Sequence, residues 1–279
     1  MKTKSIKKIA IIGVGFMGGS LALALKKKFC GVSIWGYARN EKSYRKLKKL
    51  KILDKVEKSL KKAVEGADLV VLALPTEAIA EHLKIIAPFL KKESIIFDLG
   101  SSKKLIEKAA AKYLPKSVNF VGCHPICGSE KSGAEFSYQG LYQGALCLVT
   151  SSSKQKAVEA VKNIWESLGS KVVFINSDYH DKILSKVSHL PHLVSFSLTH
   201  SIPNDYSKFC GKGFKDLTRI SSSPASVWAD ILLSNRKNIL KDLKGFIKEL
   251  KKFEILLEVE DKDKLLNLIN KINIKQKIL

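Results

Sequence analysis

At 279 residues the chain is long enough for one large domain or two unequal ones, and 45% hydrophobic with 27% charged residues excludes a disordered or fibrous protein. The formal net charge of +23 invites a nucleic-acid reading. Against it, only four of the 49 basic residues are arginine (Arg39, Arg45, Arg219, Arg236), and the lysines run along the whole chain as solvated helix faces, so no nucleic-acid partner is expected.

No signal peptide is visible, and no run approaches about 18 uncharged apolar residues, so no membrane partner is expected either. Five irregularly spaced cysteines read as reduced thiols, which predicts a cytoplasmic location.

In chain order, the apolar run from Ile9 to Ile12 predicts a buried parallel strand. It leads into Gly13-Val14-Gly15-Phe16-Met17-Gly18, a G-x-G-x-x-G turn, and SLALAL continues as an apolar helix. The three glycines serve different ends. Gly13 allows a tight turn, Gly15 lets the backbone approach a pyrophosphate, and Gly18 permits close helix–strand packing. Phe16 and Met17 lie where the helix begins and its free N–H groups meet phosphate. The reading is a Rossmann-type dinucleotide site for NAD(P)+.

Strands follow at residues 32 to 38, 67 to 75, 94 to 101, 119 to 125, 144 to 150 and 170 to 176, alternating with amphipathic helices. That alternation predicts a doubly wound, mostly parallel sheet. At the end of the second strand the sequence is GYARN, with Ala38 where an acidic residue would take the ribose hydroxyls of NAD. The missing acid leans towards NADP, its extra phosphate held by Arg39 and by Arg45 nearby.

FVGCHPICGSEKSG, residues 120 to 133, sets a histidine between two cysteines. Zinc fits poorly, because Cys123 and His124 are adjacent on a strand, point to opposite faces and lack a second ligand pair. No metal is expected. His124 sits at the carboxyl end of a late strand, where doubly wound sheets bind ligands, and a histidine there can take a proton as hydride leaves the same carbon. After Asn176 the periodicity is helical to the end, so residues 1–177 are expected to form the dinucleotide-binding domain and 178–279 a helical substrate and dimerisation domain. Its apolar faces exceed what one such domain buries, which predicts a homodimer.

The set GVGFMGGSLA, DLGSSK, GCHPICGSEKSG, VSHLPH, GFKDLTRI and SVW, in this order, closely resembles the prephenate dehydrogenase family, which includes arogenate dehydrogenases. The resemblance implies oxidative decarboxylation of prephenate to 4-hydroxyphenylpyruvate, with NAD(P)+ taking the hydride, in tyrosine biosynthesis. It further implies that His124 accepts the ring hydroxyl proton, that Ser101 orients that hydroxyl and the histidine, and that Arg219 clamps the ring carboxylate. Lys215 would add charge nearby, and Ser188, His189, His192 and Trp228 would surround the substrate side chain. On the residues alone, His189 and His192 also read as helix-packing residues and Trp228 as core.

Cys210-Gly211-Lys212-Gly213 departs from the glycine run of many relatives, which leaves arogenate open as the substrate. No fused chorismate mutase domain and no regulatory module are expected. A Rossmann-plus-helical dehydrogenase of the 3-hydroxyacid or pyrroline carboxylate type is the alternative, and it leaves HPICGSEKSG with SHLPH unexplained.

Overall fold

The structure, a computed structural model, describes residues 6–128, 131–150 and 153–278. It contains two compact units, Met1–Asn235 and Arg236–Leu279. Elements are numbered in chain order.

The first unit is built on eight strands. They are β1 (Lys8–Ile12), β2 (Ser33–Tyr37), β3 (Lys55–Glu57), β4 (Leu69–Leu72), β5 (Ile95–Asp98), β6 (Asn119–Ile126), β7 (Leu146–Thr150) and β8 (Lys171–Phe174). Their spatial order is β3-β2-β1-β4-β5-β6-β7-β8, and every neighbouring pair is parallel except β6 with β7. The helices that cover them are α1 (Phe16–Lys28), α2 (Glu41–Leu50), α3 (Leu60–Val64), α4 (Thr76–Ile86), α5 (Lys104–Tyr113) and α6 (Gln155–Ser167).

Side chains alternate across the pleat, so β1 feeds two cores at once. Ile9 and Ile11 join Leu21 and Leu25 of α1 and Val161 and Trp165 of α6. Ala10 and Ile12 face the other way, with Ile79 and Leu83 of α4 and Ile106 of α5. This is the expected doubly wound sheet. β3 and α3 were not anticipated, because KVE is a short, polar edge strand and LKKAV barely a turn, and neither carries a periodic apolar signal.

Beyond β8 the first unit continues as α7 (Ser177–Leu184), α8 (Leu190–Ser201), α9 (Lys212–Thr218) and α10 (Ala225–Ser234). A π-helical turn at Ser185–His189 joins α7 to α8. Pro191 has no N–H to give the carbonyl four residues back, which accounts for the widening there. The switch from alternating to helical elements falls between Phe174 and Ser177, beside the expected boundary at 177/178. The compact unit nonetheless runs on to Asn235, because α7 packs on α5 and α10 on α4.

The second unit is α11 (Arg236–Glu258) and α12 (Lys262–Gln276), packed on each other. The turn between them has Glu260 at φ 51°, and Asp261 caps α12 by accepting from Lys264 N at 3.0 Å. Among the described residues, no helix is long and apolar enough to cross a membrane.

Candidate active site

The glycine turn after β1 behaves as its spacing predicts. Gly13 has φ +93°, and a Cβ there would lie 2.2 Å from the Ala73 carbonyl oxygen. A Cβ on Gly18 would lie 2.3 Å from the Gly13 oxygen, so α1 packs tightly over the turn. At Gly15 nothing lies within 4 Å of a Cβ position, leaving an open approach to backbone at the start of a 13-residue helix. That geometry fits the pyrophosphate of a dinucleotide. At the end of β2, Ala38 is buried and Arg39 is exposed. Arg45 is committed elsewhere: its Nε donates to Glu41 at 2.9 Å.

The D-L-G-S-S segment closes β5. Asp98 is fully buried and forms an ion pair with the equally buried Lys103. Its carboxylate also accepts from Gly100 N at 2.8 Å and Cys123 N at 3.2 Å, while Lys103 Nζ donates to the Cys123 carbonyl at 2.7 Å. Burial pushes the Asp98 carboxyl above its usual range, and Lys103 with the two amides opposes that shift. This network ties β5 to β6, and Ser101 and His124 line the same cleft at the ends of those strands.

Cys123 and His124 do face opposite sides. Cys123 is buried and accepts from Trp165 Nε1 at 3.3 Å, whereas His124 lines the cleft. Cys127 has its thiol pushed up to about 12 by burial, far from the thiolate a redox residue needs. Among the described residues, no group of three His, Cys, Asp or Glu is placed to hold a metal ion.

His124 Nδ1 lies 2.9 Å from Nε2 of His180, and the Nδ1 of His180 lies 2.8 Å from Asp181 Oδ1. Burial, then the positive potential of His180, Lys103 and His189, lowers the His124 pKa well below the ordinary imidazole value of 6.5. His180 is also lowered, chiefly by burial, with the Asp181 hydrogen bond working against the shift. Burial resists ionisation of Asp181, but its bonds from His180 and from the Lys103 and Lys104 amides prevail and its pKa falls. The sequence did not point to this pair. Adjacent His and Asp on a helix carry no motif signal, and only the packing of α7 on α5 brings them beneath His124.

The cleft has a volume of about 750 Å³. It brings together Gly15, Phe16, Met17, Ser101, His124, Ser188, His192, Arg219 and Trp228. The glycine turn, the β5 and β6 ends and the π turn therefore open on one space. His192 stacks on Trp228 with ring centroids 3.5 Å apart, and its Nδ1–H donates to the Ser188 carbonyl at 2.9 Å. Burial, aided by Arg219 and opposed by the Ser188 bond, lowers the His192 pKa, which favours the neutral ring.

Five expected site residues are placed off the cleft wall: Gly13 and Gly18, packed inside the turn, and three others. His189 is buried, hydrogen-bonded to Asn235 at 3.1 Å, with its pKa lowered to about 4 by burial above all. Lys215 is exposed on α9, one turn before Arg219, and Arg39 is exposed just past the carboxyl end of β2. Ser129 and Glu130 of the GCHPICGSEKSG loop lie outside the described residues. Asp230, also unforeseen, lines the cleft from α10 and accepts from Thr76 N at 2.6 Å and Glu77 N at 2.9 Å.

Comparison with known proteins agrees with this geometry. Residues 21–174 match the family model described as prephenate dehydrogenase, nucleotide-binding domain, and residues 176–271 the one described as prephenate dehydrogenase, dimerization domain. The chain is 35% identical to a prephenate dehydrogenase of Bacillus subtilis over 92% of its own length and 72% of the relative's. It is 32% identical to a cyclohexadienyl dehydrogenase of Zymomonas mobilis, over 93% and 92% of the two chains. A crystal structure of prephenate dehydrogenase from A. aeolicus, in complex with hydroxyphenyl propionate and NAD+, superposes with a TM-score of 0.88 at 34% identity, covering 99% of each chain. The cleft and these matches together place the chain in the prephenate dehydrogenase family.

Proposed function

We propose that this chain oxidatively decarboxylates prephenate to 4-hydroxyphenylpyruvate, with NAD(P)+ as the acceptor. One observation carries the reading: a single cleft joins an open glycine turn, a histidine base, a serine, an arginine and an aromatic wall. The Gly13–Gly18 turn would hold the dinucleotide, which would supply the acceptor for the hydride on the ring carbon that bears the hydroxyl. His124 holds the hydroxyl proton, and Ser101 orients the hydroxyl towards it. The guanidinium of Arg219 offers a planar fork to the ring carboxylate, while Ser188, His192 and Trp228 enclose the side chain. Loss of carbon dioxide returns electrons to the ring oxygen, so the proton on His124 can go back to the product phenol. The base needs only to hold the proton through the transition state, with no net proton change.

Arg39 would hold the 2′-phosphate of NADP+. What supports NADP over NAD is Ala38, which cannot take ribose hydroxyls, together with an Arg39 that makes no ion pair among the described residues. We also propose a homodimer through the helical region, supported by the dimerization-domain match and by exposed apolar side chains such as Leu250, Ile255 and Leu257. All five cysteines are free thiols, which supports a reducing, cytoplasmic setting. The test is absorbance of reduced nicotinamide on mixing the protein with prephenate and NAD+ or NADP+, with arogenate run in parallel. Reduction with prephenate is the expected outcome, and inactivity with every pair would overturn the reading.

A further inference from the structure

The hydrogen bonds behind His124 settle more than its position. Asp181 accepts from the backbone N–H groups of Lys103 at 2.7 Å and Lys104 at 3.1 Å, at the start of α5. Asn235 Nδ2 donates to the Asp181 carbonyl at 2.7 Å and fixes the α7 backbone as well. An ionised carboxylate can only accept, so the hydrogen between Asp181 and His180 sits on His180 Nδ1. A neutral imidazole carries one ring hydrogen, which leaves His180 Nε2 an acceptor. The 2.9 Å bond from His124 then requires its hydrogen on His124 Nδ1. By elimination, His124 Nε2 is a bare lone pair.

We propose that His180 and Asp181 are positioning residues, a carboxylate–imidazole–imidazole chain that holds His124 in the one tautomer whose Nε2 can accept the substrate proton. The inference rests on His124 being the base, and it adds what makes it one. His180 is fully buried on α7, and its two ring nitrogens are taken by His124 and Asp181.

The same chain disposes of the charge that proton transfer creates. As Nε2 of His124 gains the hydroxyl proton, its Nδ1 hydrogen can move towards His180 Nε2, and the His180 Nδ1–H bond to Asp181 strengthens. Lys103 opposes a cation on either ring, but Asp181 and Asp98 favour one on His180, whereas His124 has His189 against it and no such carboxylate in its favour. Positive charge is therefore better borne one ring deeper, next to a buried carboxylate. No proton leaves the protein, and the shift reverses when the proton returns to the product oxygen.

Nitrogen-15 NMR of histidine-labelled, otherwise unmodified protein reads the tautomer directly. The expected spectrum has His124 protonated on Nδ1 and bare on Nε2, and a hydrogen on Nε2 would overturn the proposal whatever any variant does. Asp181 Oδ1 accepts from both His180 and the Lys103 amide, so in Asp181→Asn an NH₂ placed there reverses both ring bonds and puts the hydrogen on His124 Nε2, whereas an NH₂ at the Oδ2 position would face the Lys104 amide. The comparable carboxylate-to-amide change in a Ser-His-Asp triad costs about 10⁴-fold in kcat through the wrong tautomer. Here kcat should fall by roughly 10²–10⁴-fold with KM for prephenate little changed, and the Nε2 signal should move with it.

His180→Gln, whose amide oxygen can accept from His124 Nδ1, should retain most of the turnover that His180→Leu loses. If folded Asp181→Asn and His180→Leu turn over like the parent, the chain has no positioning role. His124→Asn separates the two claims. If it is inactive while Asp181→Asn is fully active, the base stands and the relay falls. If His124→Asn itself turns over normally, the base reading falls first.

Discussion

His124 owes its chemistry to its neighbours. Burial and the surrounding positive potential lower its pKa below 6.5, so the ring stays neutral and able to accept a proton into more acidic solution than a free imidazole could. An unperturbed histidine would give an acid-side fall near about 6.5. The expected fall in kcat/KM of the free enzyme lies below that value, because protonation of His124 is what abolishes the base and a lowered pKa delays it. A pH profile with its acid limb above about 7 would contradict this. His124→Asn should reduce kcat by roughly 10²–10⁴-fold while prephenate still binds, measured by steady-state kinetics alongside equilibrium binding. Arg219 answers a different question. Arg219→Lys preserves charge but not the fork, so KM for prephenate should rise strongly with cofactor affinity unchanged. An unchanged KM would move the carboxylate site elsewhere in the cleft.

At the scale of elements, two helix starts carry the site. α4 begins after Pro75, whose side chain offers no capping oxygen, and its first free amides are met from α10 by Asp230. The carboxylate both caps the helix and complements its dipole, so Asp230→Ala should cost about 1–2 kcal/mol in thermal or urea unfolding. A variant as stable as the parent would show the cap to be idle. At α2, Asn40 caps by accepting from Ser43 N at 2.9 Å, and Arg39 stands just before it. Arg39→Ala should weaken NADP+ far more than NAD+. A single charge-assisted contact is worth roughly 1.5–3 kcal/mol, or about ten- to a hundredfold in affinity. Equal loss for both cofactors in titration would refute an Arg39 phosphate contact.

At the scale of the molecule, apolar exposure concentrates in the helical region. Leu240, Ile247, Leu250, Ile255 and Leu257 of α11, with Leu266, Ile269 and Ile272 of α12, are each 40–64% exposed. Faces of that kind are stable in water when a second copy covers them. Light scattering at micromolar concentration should give about twice the 31.0 kDa chain mass. A fully active monomer would show that the exposed faces serve some other purpose.

The sequence by itself determined the doubly wound sheet and the glycine turn, and it pointed to His124 as the base. Each of these is written in local signals: apolar alternation along strands, glycine spacing, and a histidine at a strand's carboxyl end. Gly13 and Gly18 show why this works, since the clash a Cβ would suffer there belongs to a turn of a few residues. The same local logic failed for β3, too short and polar to stand out, and for His189, which lies close to Ser188 and His192 in the chain yet turns into the core. A helical pattern gives a residue's face, not what lies opposite that face. Only the tertiary structure could decide that α7 lies on α5 and α10 on α4. Asp181 thereby reaches the Lys103 amide from 78 positions away and Asp230 reaches Thr76 from 154. Contacts across such separations leave no periodicity in the chain, because they are fixed by how finished elements pack and not by how each one forms.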